Sequence, residues 1–172
     1  TSLKGQVTTA DTSIAAGQYA YWPYYIEAKD LQHLSYGTSN AKTLTLSFFV
    51  KSSKTGVYTI ALYKSDSTAC IFTHEYTISS ANTWEKKTIT ISPTAGSTSF
   101  VTSSGGSIVN GNQVGLQVTF NLSFGSDFTG GTSNSWAGNA TAYSTTNAVN
   151  WMDNTSNNFY LTGVQLEIGE VA

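Results

Sequence analysis

Two groups of aromatic residues carry most of the chemistry this sequence offers. Trp22, Tyr24 and Tyr25 fall within the dense run 19–26. Trp136, Tyr143 and Trp151 are spread through a second region, with Asn139, Asn147 and Asn150 nearby. An indole or phenol ring presents a large, rigid apolar face with a polar handle. Such a face meets the C–H side of a sugar ring, while flanking amides and hydroxyls bond the sugar's own hydroxyls. The pattern points to carbohydrate recognition, with Trp22, Tyr24, Trp136, Tyr143 and Trp151 as candidate ligand-binding residues. The same residue types also plug the edges of β-sandwiches, the reading given to Trp84, and they build subunit interfaces.

Catalytic patterns are weaker. Glycosidase chemistry needs two carboxylates across one bond. The ten acidic residues sit in no recognisable hydrolase motif. Gly-x-Ser-x-Gly is absent, and His33 and His74 each stand alone. No Cys-x-x-Cys or His-Glu-x-x-His spacing suits zinc. Cys70 is the single cysteine, so no disulfide forms within the chain, and it reads as a small core residue. Hard oxygen donors occur at Asp127 and at Asp153-Asn-Thr-Ser-Asn-Asn158, which makes these two aspartates the candidate ligands of a structural calcium. Turn-forming Asp and Asn explain the same stretches. The chain is expected not to be an enzyme and to require no cofactor.

Composition narrows the partners. The 172 residues suit one domain, and a chain of this length buries about 70% of its unfolded surface. Only 10% of residues are charged, the net charge is −2, and there is no arginine. Without arginine forks or a basic stripe, nucleic acid is an improbable partner. No stretch approaches the ~20 apolar residues of a membrane helix, so no membrane insertion is expected. A neutral partner, a sugar or a protein surface, fits best. Because it begins Thr1-Ser2 rather than with Met, the chain is expected to be a fragment of a longer protein.

The elements that must position these residues are strands. In 113–124, Val114, Leu116, Val118, Phe120, Leu122 and Phe124 alternate with polar residues. Period two places all six on one face. The polar face of Gln113, Gln117, Thr119 and Asn121 is expected to floor a groove or make a subunit contact. Thr43–Lys51 is a second such strand, with Phe49 on its outer face. Further strands are read at 57–64, 71–78 and 85–91. Pro23 argues against a central strand, and Tyr25 is expected to open one. Residues 30–37 form a short helical turn, with Asp30 as N-cap and Leu31 and Leu34 on its buried side. In 159–168 the apolar phase slips at Thr162-Gly163, and a β-bulge at Gly163 keeps the apolar residues facing inward. Residues 125–158 are a long irregular excursion. Without βαβ units, seven to nine such strands make an all-β, antiparallel two-sheet β-sandwich, a jelly roll.

Three ordered blocks carry a family likeness. They are Ile26-Glu…Asp30-Leu-Gln-His-Leu…Leu44-Thr-Leu-Ser-Phe-Phe-Val-Lys-Ser52, then 80–91, then Gly125-Ser-Asp-Phe-Thr…Trp136…Phe159-Tyr-Leu-Thr-Gly-Val-Gln-Leu-Glu-Ile-Gly169. Over about residues 20–170 they resemble the C-terminal domain of bacteriophage tail-fibre and tail-spike proteins. That family is similar to the jelly-roll carbohydrate-binding modules of secreted glycoside hydrolases. The resemblance implies an extracellular virion appendage domain, usually a homotrimer, that binds a host cell-surface glycan. It carries over no catalytic residue. Two alternatives stay open: a structural spacer, oligomerisation or decoration domain without a glycan site, and a carbohydrate-binding module of an extracellular hydrolase.

Overall fold

The computed structural model describes residues 1–138 and 141–170. Its strands form two sheets. One has the order β1 (Leu3–Gln6), β9 (Asn158–Ile168), β3 (Leu44–Ser52), β6 (Glu85–Ile91). The other has β2 (Tyr19–Glu27), β7 (Val114–Phe124), β4 (Gly56–Lys64), β5 (Cys70–Ile78), β8 (Ser135–Ala137). Every neighbouring pair is antiparallel. The chain passes back and forth between the sheets, except along the β4–β5 hairpin and where β8 adds an edge beside β5. This is the jelly-roll topology.

Alternation builds the core. Leu44, Leu46, Phe48 and Val50 of β3 face Tyr58, Ile60 and Leu62 of β4 and Leu116, Val118 and Phe120 of β7, and all are buried. Phe48 packs edge-to-face on Phe120 and Tyr76, at centroid distances of 5.1 and 5.2 Å. Each such ring contributes about 1.5–3 kcal/mol by leaving water. Lys64, which shares the parity of Tyr58 and Leu62, is also fully buried. Its ammonium donates to the carbonyls of Asp66, Thr68 and Ser107.

Several sequence expectations are corrected. β2 begins at Tyr19 and runs through Pro23, which lies opposite Thr119. This is tolerated because β2 is an edge strand with no outer neighbour to need the missing N–H. The helical turn is a 3₁₀ helix, Ala28–Leu34, that starts before Asp30; Glu27 holds the N-cap position without a side-chain bond. Leu31 and Leu34 are buried as expected. In β7 the pairing jumps from Ala20↔Ser123 to Tyr21↔Asn121, leaving Leu122 as an extra residue. Beyond this bulge the phase inverts, so Phe124 leaves the core face and joins the outer one.

The outer face of β7 is not open either. Gln117, Thr119 and Asn121 are 8%, 0% and 3% exposed. Part of the segment 125–150 roofs them. Asn121 Nδ2 donates to the Tyr143 carbonyl at 2.6 Å, Thr59 and Ser144 hydroxyls meet at 3.0 Å, and Thr73 Oγ1 donates to the Ala142 carbonyl. Ala61, Ile71 and Ala142 make a small apolar cluster beneath the roof. The expected groove floor is a third packing layer.

The bulge in β9 lies where the slipped phase puts it. Ser47 pairs with Gln165 and Phe49 with Thr162, and Gly163 takes φ +59°. Leu166 and Ile168 then lie opposite Leu46 and Leu44, on the inner face.

Candidate functional site

The inner face of β2 and its outer face lead to two different surfaces. Trp22 and Tyr24 lie opposite Phe120 and Val118, so they point between the sheets. There they line a cleft of about 600 Å³, with Leu44, Leu46, Leu161 and Leu166 among its walls. Trp22 slides beneath β1, where a side chain at Gly5 would strike its indole at 2.6 Å, and its edge packs on Phe159 at 5.4 Å. Tyr24 stands at the mouth, 65% exposed.

On the outer face, Tyr21 lies opposite Asn121 and Tyr25 opposite Gln117. The bulge at Leu122 brings Phe124 to the same side. Tyr143 is lowered onto it by Asn121, which holds its carbonyl, and by Ala142 and Ser144 on either side. Phe124 and Tyr143 stack at 5.9 Å and 9°. Tyr21 stacks on both, at 5.9 and 6.1 Å, and Tyr19 on Phe124 at 6.1 Å. Phe128 closes the group edge-on, and Tyr63 flanks Tyr143 at 5.9 Å. Burial pushes the Tyr143 hydroxyl up to about 12, and the surrounding hydroxyls of Tyr63, Tyr21, Tyr25 and Tyr19 add to the shift. The Tyr143 phenol is therefore uncharged at neutral pH. Tyr19 and Tyr25 remain 56% and 54% exposed.

Among the five candidate ligand-binding aromatics, the structure brings Trp22 and Tyr24 together at the cleft and puts Tyr143 in the outer platform. Trp136 and Trp151 are corrected: they are 2% and 3% exposed, so neither offers a face to a ligand. Trp136 sits opposite Phe72 at the β5–β8 edge, donates Nε1–H to the Ser92 carbonyl at 2.9 Å and packs edge-on against Tyr36. Trp151 is part of the main core. Asn139 lies outside the described residues. Asn147 donates to Glu75 and Asn150 to the Asp11 carbonyl, so both hold the loop rather than present themselves to a sugar.

The two aspartates considered for calcium are engaged differently. Asp153 receives bonds from Lys54 Nζ and Asn157 Nδ2, which hold its carboxyl below the usual range. Asp127 is exposed beside Gly17. Among the described residues no three His, Cys, Asp or Glu side chains converge as a metal-holding group. No helix there is long and apolar enough to cross a membrane.

The platform residues that sequence reasoning missed are Tyr19, Tyr21, Tyr63, Phe124 and Phe128. The signal for Tyr19 and Tyr21 was the odd parity they share with Tyr25, hidden by reading Pro23 as a break. No signal in the sequence foretold the inversion of Phe124. No family model matches the chain, no curated protein matches it, and no solved structure matches it.

Proposed function

We propose that this domain is a non-enzymatic module that binds a neutral glycan on a host cell surface, as part of a bacteriophage tail fibre or spike. The observation that carries the binding reading is the tyrosine platform. Near-parallel rings stand at one edge of a sheet, partly exposed, with phenol hydroxyls at their rims. A pyranose needs this combination of apolar faces and neutral hydrogen-bonding groups. The resemblance of the sequence blocks supports the virion setting and the homotrimer.

A single shallow sugar site works near millimolar affinity, about −4 kcal/mol. Display in three copies raises apparent affinity by ~10²–10⁴ without new contacts. The test is a bacterial glycan panel probed with the domain on a trimerising tag, beside Tyr19→Ala and Tyr25→Ala. Each truncation removes an exposed ring and leaves the core intact. Selective binding that falls by about tenfold in these variants supports the reading, since one ring contributes about 0.5–1.5 kcal/mol. A blank panel from folded trimers would overturn it.

A further inference from the structure

The outer face of the other sheet carries a second set of aromatics, and lysines stand between them. Register puts Lys4 of β1 opposite Tyr160 of β9, and Tyr160 opposite Lys51 of β3. Trp84 completes the row, directly before Glu85, the β6 partner of Val50. The Lys51 ammonium stands over the Tyr160 ring at 4.3 Å and the Trp84 ring at 5.3 Å, and the Lys4 ammonium over Tyr160 at 5.7 Å. One rung across the sheet therefore reads cation, ring, cation, ring. Phe49 and Lys86, a cross-strand pair, extend it on the same face. Trp84, expected from sequence to plug a sandwich edge, is 41% exposed, and Phe49 is 42% exposed. The row crosses β1, β9 and β3 where all three are paired, so it uses no unpaired strand edge.

These cations lack counter-ions. Among the described residues, carboxylates pair with Lys29, Lys54 and Lys87, and none pairs with Lys4, Lys51 or Lys86. Glu85, the nearest acid in sequence, shares the inward side with Val50 and is taken by Lys87 and by the Ser79 and Ser80 amides. Glu167 lies opposite Thr45, toward the other end of β3, about 20 Å away. A chain of net charge −2 thus gathers three unpaired ammonium groups around exposed rings on one face.

We infer that this face is a second binding site, for an acidic saccharide whose rings bear carboxylates. The aromatic faces take the C–H side of a pyranose, and an ammonium takes the carboxylate. Lys4 and Lys51 are two strands apart, about 10 Å, with the Tyr160 ring between them. At that spacing each balances a single negative charge, whereas a phosphate monoester of charge about −1.5 to −2 calls for cations grouped together. A saccharide in which acidic and neutral rings alternate would meet ammonium and aromatic face in turn. A free anion would leave the rings unused, and a neutral sugar would leave the ammonium groups unused. The rung spans about 14 Å across four strands, too short for the extended groove that tracks a nucleic-acid backbone. This inference is independent of the neutral-glycan reading, which uses the outer face of the opposite sheet.

The probes are a short oligosaccharide alternating glucuronate with N-acetylglucosamine, and an oligogalacturonate. Each is paired with its carboxyl-reduced form, which keeps the rings and loses the charge. Titration calorimetry gives the affinities, and shielding of tryptophan emission from acrylamide places the ligand at Trp84, since Trp136 and Trp151 are buried. An acidic oligomer is expected to bind about tenfold tighter than its reduced form. Lys51→Gln and Trp84→Ala are each expected to weaken it about tenfold. Lys42→Gln removes an equal charge away from this face and is expected to leave binding unchanged. Thermal melts check that all three variants fold. Failure of both acidic oligomers to bind the folded wild-type domain overturns the inference. Equal binding of a reduced form does so too, as does equal binding of polyphosphate, which offers charge without rings. An equal loss in Lys42→Gln overturns it in favour of general charge attraction, and tighter binding of oligothymidylate overturns it in favour of nucleic acid.

Discussion

His74 shows how one side chain sets a pH limit. It lies on β5 with its ring stacked on Phe72 at 6.2 Å, and its Nδ1 is buried without a hydrogen-bond partner among the described residues. Burial lowers its pKa from 6.5, only partly opposed by Glu75. The unfolded chain therefore binds the proton more readily than the folded one. Stability is full above about pH 6.5 and declines as pH falls through the lower folded value. Thermal melts at pH 7.5 and 5 should show the loss, and His74→Leu should flatten it without costing stability at pH 7.5. Asp153 and Glu85, whose pKa values are lowered, add a separate loss only below about pH 4. The candidate ligand-binding aromatics also divide by burial. Trp136→Ala should cost about 3–5 kcal/mol in a denaturant titration because it empties a core position. Tyr24→Ala should stay within about 0.5 kcal/mol because its ring stands in water.

At the level of the strand, parity was the most informative signal and its interruptions were the least. The inward residues of β3 and β4 follow from period two, and so does burial of Lys64, whose parity matches Leu62 although its charge reads as surface. The β9 bulge was legible because the apolar phase slips at a glycine. Gly163 takes φ +59°, and a Cβ there would meet the Phe49 ring at 3.1 Å. Gly163→Ala should therefore lower stability by about 1–2 kcal/mol, and Gly163→Asn by less at the backbone, since Asn tolerates the left-handed region. Chemical denaturation of the pair checks this. The β7 bulge left no comparable mark, because Leu122 and Phe124 are both apolar and the alternation reads as unbroken. The roof over Gln117, Thr119 and Asn121 was illegible for a different reason. Their polar side chains look solvated in sequence, but Asn121 satisfies the Tyr143 carbonyl of a distant loop and Thr119 donates to the Ala61 carbonyl of β4. Trp136 and Trp151 were misplaced as ligand residues because an irregular segment gives no parity with which to tell a buried ring from an exposed one.

The whole molecule is assembled from distant pairings. β1 meets β9 through Leu3↔Leu161, β2 meets β7 through Trp22↔Phe120, and β3 meets β9 through Leu44↔Ile168. Among the described strand pairings only the β4–β5 hairpin is local. Loop closure must precede most of the stabilising contacts, which places folding in the millisecond-to-second range rather than microseconds. Stopped-flow tryptophan fluorescence should show that slow phase, and mutations in the β4–β5 hairpin should perturb it differently from mutations in β1. The partnership of β1 and β9 also has a mechanical meaning. β1 holds to β9 only from Leu3↔Leu161 to Gln6↔Asn158, whereas β9 is held to β3 from Phe159 to Ile168. A pull on Thr1 is therefore resisted by the short ladder alone, and a pull on Glu170 by the long one.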